Sequence, residues 1–252
     1  TKTNDKGEGF ENEIADLLGK KLNVPGVYDY FPQVIGYVRN TLNKKKCDII
    51  IGITSGNDLV LNTLPYMRWS YVIAYLNDTG IEVDRPDHPQ LADLRIGTQA
   101  GTPPTFILQR YNLMSKVRPY NLTFDPRFAI IGESMIEDLI DGLVDIVFMS
   151  GPIASYYLHK KGFDKTKFTM IPIETTDQGW GRMDFYTTMG VRDGETDWKK
   201  KLNKFIKGNK KEIEQILAKY NIPILSLRPG KRKKTEAGST TDALIKGRAP
   251  VN

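Results

Sequence analysis

One helix-to-strand unit occurs twice in this sequence and constrains its fold more than any other feature. In the first copy, an amphipathic stretch at 38–42 and a short basic turn precede the apolar run 47–52. In the second copy, the stretch 136–142 precedes the apolar run 144–149. Short apolar runs that follow helices are typical of strands in parallel sheets covered on both faces. Two copies, about a hundred residues apart, therefore predict two similar α/β lobes.

Small residues follow each apolar run, and the two loops that they form contain Ser55, Gly56, Asn57, Ser150 and Gly151. In open α/β sheets, ligands bind at the loops that lie at the carboxyl ends of the strands. We therefore expect the two lobes to turn these loops toward each other across a cleft.

Most other segments follow helical or strand spacing. Helices are predicted at 11–22, 34–43, 133–142 and 152–159, from Pro103 onward, and in one long or two stacked pieces between 198 and 220. Strands are predicted at 27–31, 47–53, 69–76, 94–98, 145–149, 168–173 and 182–192, with a weaker indication at 128–131. The strand at 69–76 is long enough to cross between the lobes, and the strand at 182–192 returns.

The order of these elements runs from one lobe to the other and back. It predicts a first lobe of residues 1–75 and 182–227, a second lobe of residues 92–173, crossover segments at 76–91 and 174–181, and a basic tail at 228–252. Two chain crossings form a hinge, and closure about a hinge is a common way to enclose a ligand.

The composition is that of an ordinary globular protein, with 40% hydrophobic and 26% charged residues. No apolar run approaches the roughly 18–20 residues of a membrane span. One cysteine and two histidines match neither the common zinc spacings nor a catalytic cysteine–histidine pair, so we predict no metal and no cofactor. No signal peptide is present at Thr1, so if the protein is exported, we expect this sequence to be its processed form.

The net charge is +6, and part of the surplus lies in the basic run 228–234. Two interpretations of this run remain open. It is either a solvated, flexible terminus or an electrostatic contact with an acidic partner protein. We find no basic helix with interleaved aromatic residues, which argues against nucleic acid as a partner.

Six short segments together resemble type II periplasmic solute-binding proteins, and the resemblance extends to about residue 227. These segments are 9–15, 47–52, 64–66, 99–102, 142–147 and 189–194. The sequence is also similar to a narrower group, the MxaJ/XoxJ proteins, at 31–33, 38–43, 47–48, 101–104 and 151–154. Members of that group are solute-binding-like components associated with quinoprotein methanol dehydrogenases in methylotrophic bacteria.

The resemblance implies an α/β protein with the two-lobed type II periplasmic binding protein fold, a hinge and an interlobe cleft. In that fold a strand normally precedes the helix that begins near Gly9, and only eight residues precede Gly9 in this chain. Either the chain was shortened or this first strand is lost, so the sheet of the first lobe has an unfilled edge or borrows a strand. In MxaJ-like proteins the same strand often carries a cysteine that could pair with Cys47.

The sequence departs from amino-acid-binding relatives at three places. The stretch 54–58 lacks the arginine that clamps a ligand carboxylate through paired hydrogen bonds. Ser150 stands where those relatives offer an aspartate to the ligand ammonium group. Pro103 stands where a small residue often presents a backbone N–H, which proline lacks. Together these departures remove amino-acid recognition.

The residues that remain for the cleft are mainly aromatic, small and uncharged. Besides the two loops named above, they are Tyr66, Trp69, Gly101, Thr102, Pro103, Pro104 and Trp180. Such a surface suits a peptide or a protein better than a zwitterion. Tyr66 and Trp69 have an alternative role, which is to pack inside the first lobe.

The resemblance therefore implies a non-enzymatic periplasmic accessory protein that contacts PQQ-dependent methanol dehydrogenase and acts in its maturation or activation. A peptide or a small organic ligand is an alternative occupant of the cleft. Two other functions remain open: a receptor of an ABC transporter for a small organic solute, and an enzyme on the same scaffold. An enzyme needs a positioned acid or base in the cleft. The carboxylates Glu133, Glu137, Asp138 and Asp141 instead lie on one helical segment, which suits a solvated face.

Overall fold

The computed structural model describes residues 7–31, 35–121, 132–174 and 181–227. This part of the chain contains both helices and strands. The α-helices there are α1 (Phe10–Leu22), α2 (Tyr37–Asn40), α3 (Pro103–Arg110), α4 (Glu133–Ile140), α5 (Gly151–Lys160), α6 (Thr196–Gly208) and α7 (Lys210–Lys219). The strands are β1 (Ile50–Thr54), β2 (Leu61–Asn62), β3 (Met67–Leu76), β4 (Ile96–Gln99), β5 (Val117–Tyr120), β6 (Ile146–Ser150), β7 (Phe168–Pro172) and β8 (Asp184–Val191). Short 3-10 helices lie at Leu42–Lys44, Asn77–Thr79, Pro89–Asp93 and Met114–Lys116.

One strand, β3, takes part in two sheets. The strand order is β1-β8-β3-β6-β4-β5, with β2 beside β8 and β7 beside β3. Residues 67–70 of β3 pair with β8, whereas residues 71–76 pair with β6 and β7. Strand β4 is parallel to β5 and β6, and the other pairings within the described residues are antiparallel. A single strand therefore connects the two sheets directly.

Separate apolar clusters lie on the two sides of this connection. Helices α1, α6 and α7 cover the sheet of β1 and β8 with buried residues such as Ile14, Leu202 and Leu217. The other sheet is covered on both faces. Ile107 of α3 packs in the cluster on one face, and Leu158 of α5 packs with α4 in the cluster on the other. These packed layers fix the strand ends from which the loops extend.

Prolines mark two helix starts that the sequence predicts. Pro103 is the first residue of α3, and Pro152 is the second residue of α5. A proline at these positions removes an N–H that would have no partner inside the helix. The helical stripe predicted between 198 and 220 forms two helices. Helix α6 ends just before Asn209, and α7 begins just after it.

Three sequence expectations are wrong. Strand β1 pairs with β8 in an antiparallel manner, so the first copy of the repeated unit does not enter a parallel sheet, although β6 of the second copy lies parallel to β4. Residues 27–31 form no strand, because an alternating pattern needs a neighbouring strand to satisfy its backbone. The helix predicted at 34–43 is shorter, since Thr41 adopts φ −117° and ψ −82°, which ends α2. The weak strand at 128–131 lies outside the described residues.

In the part of the chain that the structure describes, β1 is the last strand at one edge of the first sheet. Within the described residues, β8 is the only strand that pairs with β1, as the resemblance leads one to expect. Cys47 lies just before β1 as a half-buried free thiol, and burial raises its pKa. The predicted bounds of the lobes and crossover segments stay a prediction. None of the described helices combines the length and the apolar character that crossing a bilayer requires.

Replacement of Gly151 by alanine tests the packing between α5 and β3. A Cβ at this position would lie 2.9 Å from the Ser70 carbonyl oxygen and 3.1 Å from Cγ of Pro223. We expect Gly151→Ala to lower the free energy of unfolding by about 1–3 kcal/mol, because the strand backbone cannot move aside. Urea unfolding measures this effect. Gly208→Ala is the control, since a Cβ there meets nothing within 4 Å, and equal loss in both variants would contradict the prediction.

Candidate functional site

Three aromatic rings meet where β3 passes from its pairing with β8 into the other sheet. Trp69 and Phe185 lie directly opposite each other in register, with ring centroids 5.1 Å apart. The ring of Tyr71 lies 5.8 Å from that of Trp69 and 6.0 Å from that of Phe185. The indole N–H of Trp69 donates to Oγ1 of Thr187 at 3.0 Å. All three rings are half-buried, and we call Trp69, Tyr71 and Phe185 the hinge aromatic cluster.

Two arginines lie close to this cluster but differ in their roles. Arg68 pairs with Asp184 at 2.9 Å, and the two side chains are only 14% and 10% exposed. Because side chains alternate along a strand, Arg68 lies on the opposite face of β3 from Trp69. The exposed Arg182 instead places its guanidinium over the Phe185 ring, 5.4 Å from the centroid. Among the described residues, Arg182 therefore places a cation beside the face of the hinge aromatic cluster.

The loop after β1 uses much of its polar character internally. The Ser55 N–H donates to the Tyr186 carbonyl at 2.8 Å. Oδ1 of Asn57 accepts from the Leu59 N–H at 2.9 Å, which closes a turn within the loop. Gly56 has φ +86° and open space around it, so it allows the turn without a side chain. The loop is attached to β8 next to the hinge aromatic cluster.

The loop after β4 is held in a similar way. The Thr102 hydroxyl donates to the Gln99 carbonyl at 2.6 Å, and Thr102 is buried. The hydroxyl of Thr105 donates to the same carbonyl at 3.3 Å. Gly101 is exposed with φ +75°, and Pro103 is half-buried at the start of α3. This loop therefore offers an exposed glycine backbone and a proline ring, and the two hydroxyls contact its own backbone.

The loop after β6 begins next to β3. Ser150 is half-buried, caps α5 without a side-chain hydrogen bond, and lies opposite Tyr71 in the β3–β6 register. Gly151 is buried against the Ser70 carbonyl, so its role is close packing. Since β4 and β6 are parallel neighbours, their carboxyl ends share one edge. Ser150 and the loop after β4 are therefore at the same edge of this sheet.

The structure thus gathers some of the predicted residues and separates others. Ser150 and Trp69 both adjoin Tyr71, and Ser55 is bonded to the strand that carries Phe185. Trp180 lies outside the described residues. Tyr66 is only 4% exposed and packs in the core of α1, α6 and α7, so its ring is not on the surface. Which of these residues touch a ligand or partner stays a prediction.

One family model, that of the bacterial extracellular solute-binding proteins of family 3, matches residues 1–222. The chain belongs to this family. XoxJ from Methylobacterium extorquens AM1, a periplasmic binding protein of known crystal structure, is 31% identical, with a TM-score of 0.72 over 89% of this chain and 93% of that one. MxaJ from Methlophaga aminisulfidivorans MPT has the same TM-score at 22% identity, over 88% of this chain and 95% of that one.

A curated relative is also similar to this chain in sequence. Protein MoxJ of Methylorubrum extorquens is 25% identical over 236 residues, which is 87% of this chain and 76% of the relative. These findings confirm the MxaJ/XoxJ resemblance and the type II α/β fold. These relatives are binding proteins by family.

Sequence reasoning does not find three residues in or beside the hinge aromatic cluster: Tyr71, Phe185 and Arg182. Tyr71 and Phe185 were each assigned to a strand, but a strand pattern does not say which side chains become neighbours. Their contact depends on the register Trp69–Phe185 between β3 and β8, which local spacing cannot give. Arg182 was missed for the same reason, since its position over Phe185 follows from the start of β8.

A groove of about 450 Å³ lies away from the cleft, against the start of α6, and is lined in part by Asp48, Arg192 and Trp198. The guanidinium of Arg192 donates to the Cys47 carbonyl at 2.6 Å and to the carboxylates of Asp48 and Glu195 at 2.8 and 2.7 Å. Because Arg192 contacts so many groups of the chain itself, it connects β8 to the segment before β1. Within the described residues, no cluster of three or more side chains suited to a metal ion is present.

The buried Tyr66 lies next to Glu11 and Gly52, which are half-buried. The Glu11 carboxylate occupies the space that a Cβ of residue 52 would need, and Gly52 has φ +92°, so only glycine fits there. The Tyr66 hydroxyl is buried and makes no hydrogen bond of normal geometry with the described residues. Burial raises the pKa of Glu11 to about 7. Burial and the nearby Glu11 raise the pKa of Tyr66.

Replacement of Glu11 by glutamine should remove a pH dependence of stability. The unfolded chain releases this proton near pH 4.5, whereas the folded protein holds it until about pH 7. The folded state binds more protons between these values, so wild-type stability falls as the pH rises through this window. We expect Glu11→Gln to match the wild type near pH 4.5 and to exceed it above pH 7, by on the order of 2–3 kcal/mol.

Urea unfolding at a series of pH values measures this difference. Glu214→Gln is the matched control, because the Glu214 side chain is 49% exposed in a loose pair with Lys210. The control should change stability little at any pH. A difference between Glu11→Gln and wild type that stays constant with pH would show that the carboxyl is not held in its neutral form.

Proposed function

We propose that this chain is a non-enzymatic periplasmic accessory protein of methanol oxidation. It would contact a PQQ-dependent quinoprotein methanol dehydrogenase and act in the maturation or activation of that enzyme. The likeness to XoxJ, MxaJ and MoxJ supports membership of this system. A periplasmic location is supported by the extracellular family to which the chain belongs.

The hinge aromatic cluster is the observation that carries the proposal. Its rings are half-buried, so part of each is exposed in the crossing region, and the Arg182 guanidinium lies over the Phe185 ring. The polar side chains of the adjoining loops, such as Asn57 and Thr102, are occupied by bonds within the loops. A partner therefore meets aromatic surface and a guanidinium, which are the groups that dominate the energetics of protein interfaces.

The carboxylates of α4 support a non-enzymatic role. Glu137 pairs with Lys161 at 2.6 Å, and Glu133 lies 3.6 Å from Lys160. Asp138 pairs with the Arg118 guanidinium at 2.9 Å and accepts from the Tyr120 hydroxyl. These partners lie at the C-terminal end of α5 and on β5, so the carboxylates connect α4 to its neighbours. None of them is offered to a substrate as a free acid or base.

Surface plasmon resonance with purified methanol dehydrogenase, in its holo and apo forms, tests the contact. The wild type should bind at least one form. Tyr71→Ala and Arg182→Ala should each weaken binding about tenfold or more, because both would remove a central anchor. Leu143→Ala is the control, since Leu143 is 48% exposed and lies before β6, at the end opposite Ser150. No binding to either form would refute the proposal, and full binding by both variants would place the contact elsewhere.

A receptor of an ABC transporter for a small organic solute is the second candidate, favoured by the family itself.

We expect no large thermal stabilisation by any standard amino acid, because residues 54–58 lack an arginine and because Ser150 and Pro103 replace the other recognition groups. A solute at a hundred times its Kd would stabilise the fold by about 2.7 kcal/mol. A thermal-shift screen of the amino acids, with buffer alone as the control, measures this. A clear rise in Tm with one of them would favour the receptor.

A further inference from the structure

Helices α6 and α7 carry a local excess of positive charge. Residues 196–219 contain eight lysines and three carboxylates, a surplus of five positive charges in a protein of net charge +6. This surplus is separate from the basic run 228–234. The sequence pattern indicates the apolar stripe of α6 and α7 and the basic tail. It does not indicate a role for the outer face of these helices.

Three of the lysines form one face of α6. Lys200, Lys204 and Lys207 are four and three residues apart, which places them within about 60° of one another around the helix axis. All three are exposed. The opposite face carries Leu202, Phe205 and Ile206, which are buried against the sheet. We call Lys200, Lys204 and Lys207 the α6 lysine face.

The charges on this face are poorly compensated. Lys200 lies 2.8 Å from Asp197, but these side chains are 75% and 92% exposed, and such a pair has little energy in water. The side-chain amino groups of Lys204 and Lys207 form no ion pair in the part of the chain that the structure describes. Neighbouring like charges on a helix repel, so the face is available to carboxylates of another molecule.

The geometry favours a protein partner over a membrane. A helix that lies on a lipid surface needs apolar side chains beside its cationic ones so that it can insert. On α6 the apolar residues Leu202, Phe205 and Ile206 are instead buried in the core. The lysines are held about 5–6 Å apart at Cβ, a spacing that suits fixed carboxylates on a folded surface.

We propose that the α6 lysine face docks an acidic surface of the partner protein, which is the methanol dehydrogenase if the proposed function holds. Long-range attraction between this face and the acidic surface speeds the encounter, and the hinge aromatic cluster supplies short-range contact. The inference therefore rests on the proposed function and adds the surface that steers the encounter.

Charge reversal in the full-length chain tests the proposal. In surface plasmon resonance on methanol dehydrogenase, the double variant Lys204→Glu and Lys207→Glu should lower the association rate constant at low salt about tenfold or more. It should also flatten the dependence of that rate on ionic strength. The matched control is Lys165→Glu with Lys167→Glu, two exposed lysines of the loop before β7, which changes the net charge equally and should alter the rate no more than about twofold. Circular dichroism and urea unfolding confirm that both variants are folded.

The outcomes separate this inference from the proposed function. Slowing confined to the α6 variant supports the α6 lysine face. If the control slows association equally, net charge alone matters. If the α6 variant does not slow association, the encounter does not use α6. Either result overturns the inference while the proposed function stands. Absence of wild-type binding overturns both. A last outcome concerns lipid. If the wild type binds phosphatidylglycerol vesicles and the α6 variant does not, while both bind the dehydrogenase equally, the face belongs to a membrane contact and the inference is overturned.

Discussion

The hydrogen-bonded passage of β3 from one sheet to the other is the constraint on which the rest of this structure depends. Its first residues pair with β8 and its later residues with β6 and β7, so both cores are built on the same strand. The buried pair of Arg68 and Asp184 joins β3 to β8 at the crossing. A buried pair of this kind is costly to break, because the remaining charge is left without its partner. Strand pairing and this ion pair together fix the register that brings Trp69 opposite Phe185.

Much of the fold could be predicted because its elements have strong local patterns. The helices at 133–140 and 196–219 follow amphipathic spacing, and Pro103 and Pro152 mark helix starts. What failed depends on distant segments. The direction of β1 is set by its neighbour β8, more than a hundred residues away in sequence. Residues 27–31 have the alternation of a strand, yet alternation cannot supply the pairing partner that a strand requires.

The candidate site shows the same division between local and distant information. Sequence spacing predicts Ser55 and Ser150 at strand ends and Thr102 directly before a helix, which is where the structure has them. It could not decide whether an aromatic residue faces a cleft or a core. Tyr66 is buried next to Glu11 and Gly52, whereas Tyr71, five residues later, joins the hinge aromatic cluster. Tertiary packing of α1 against β1 makes this distinction, and the chain near Tyr66 contains no local sign of it.

The contact between Trp69 and Phe185 has an optical consequence. Indole emission responds to the polarity of its surroundings and to nearby rings, and Trp69 lies between Phe185 and Tyr71 on the strand that both sheets share. A change of angle between the two halves of the molecule would alter these contacts first. Trp198, on α6, instead lines the groove that Arg192 and Asp48 share. The protein therefore contains an intrinsic fluorophore on the strand that both sheets share, where a change in these ring contacts can be followed without a chemical label.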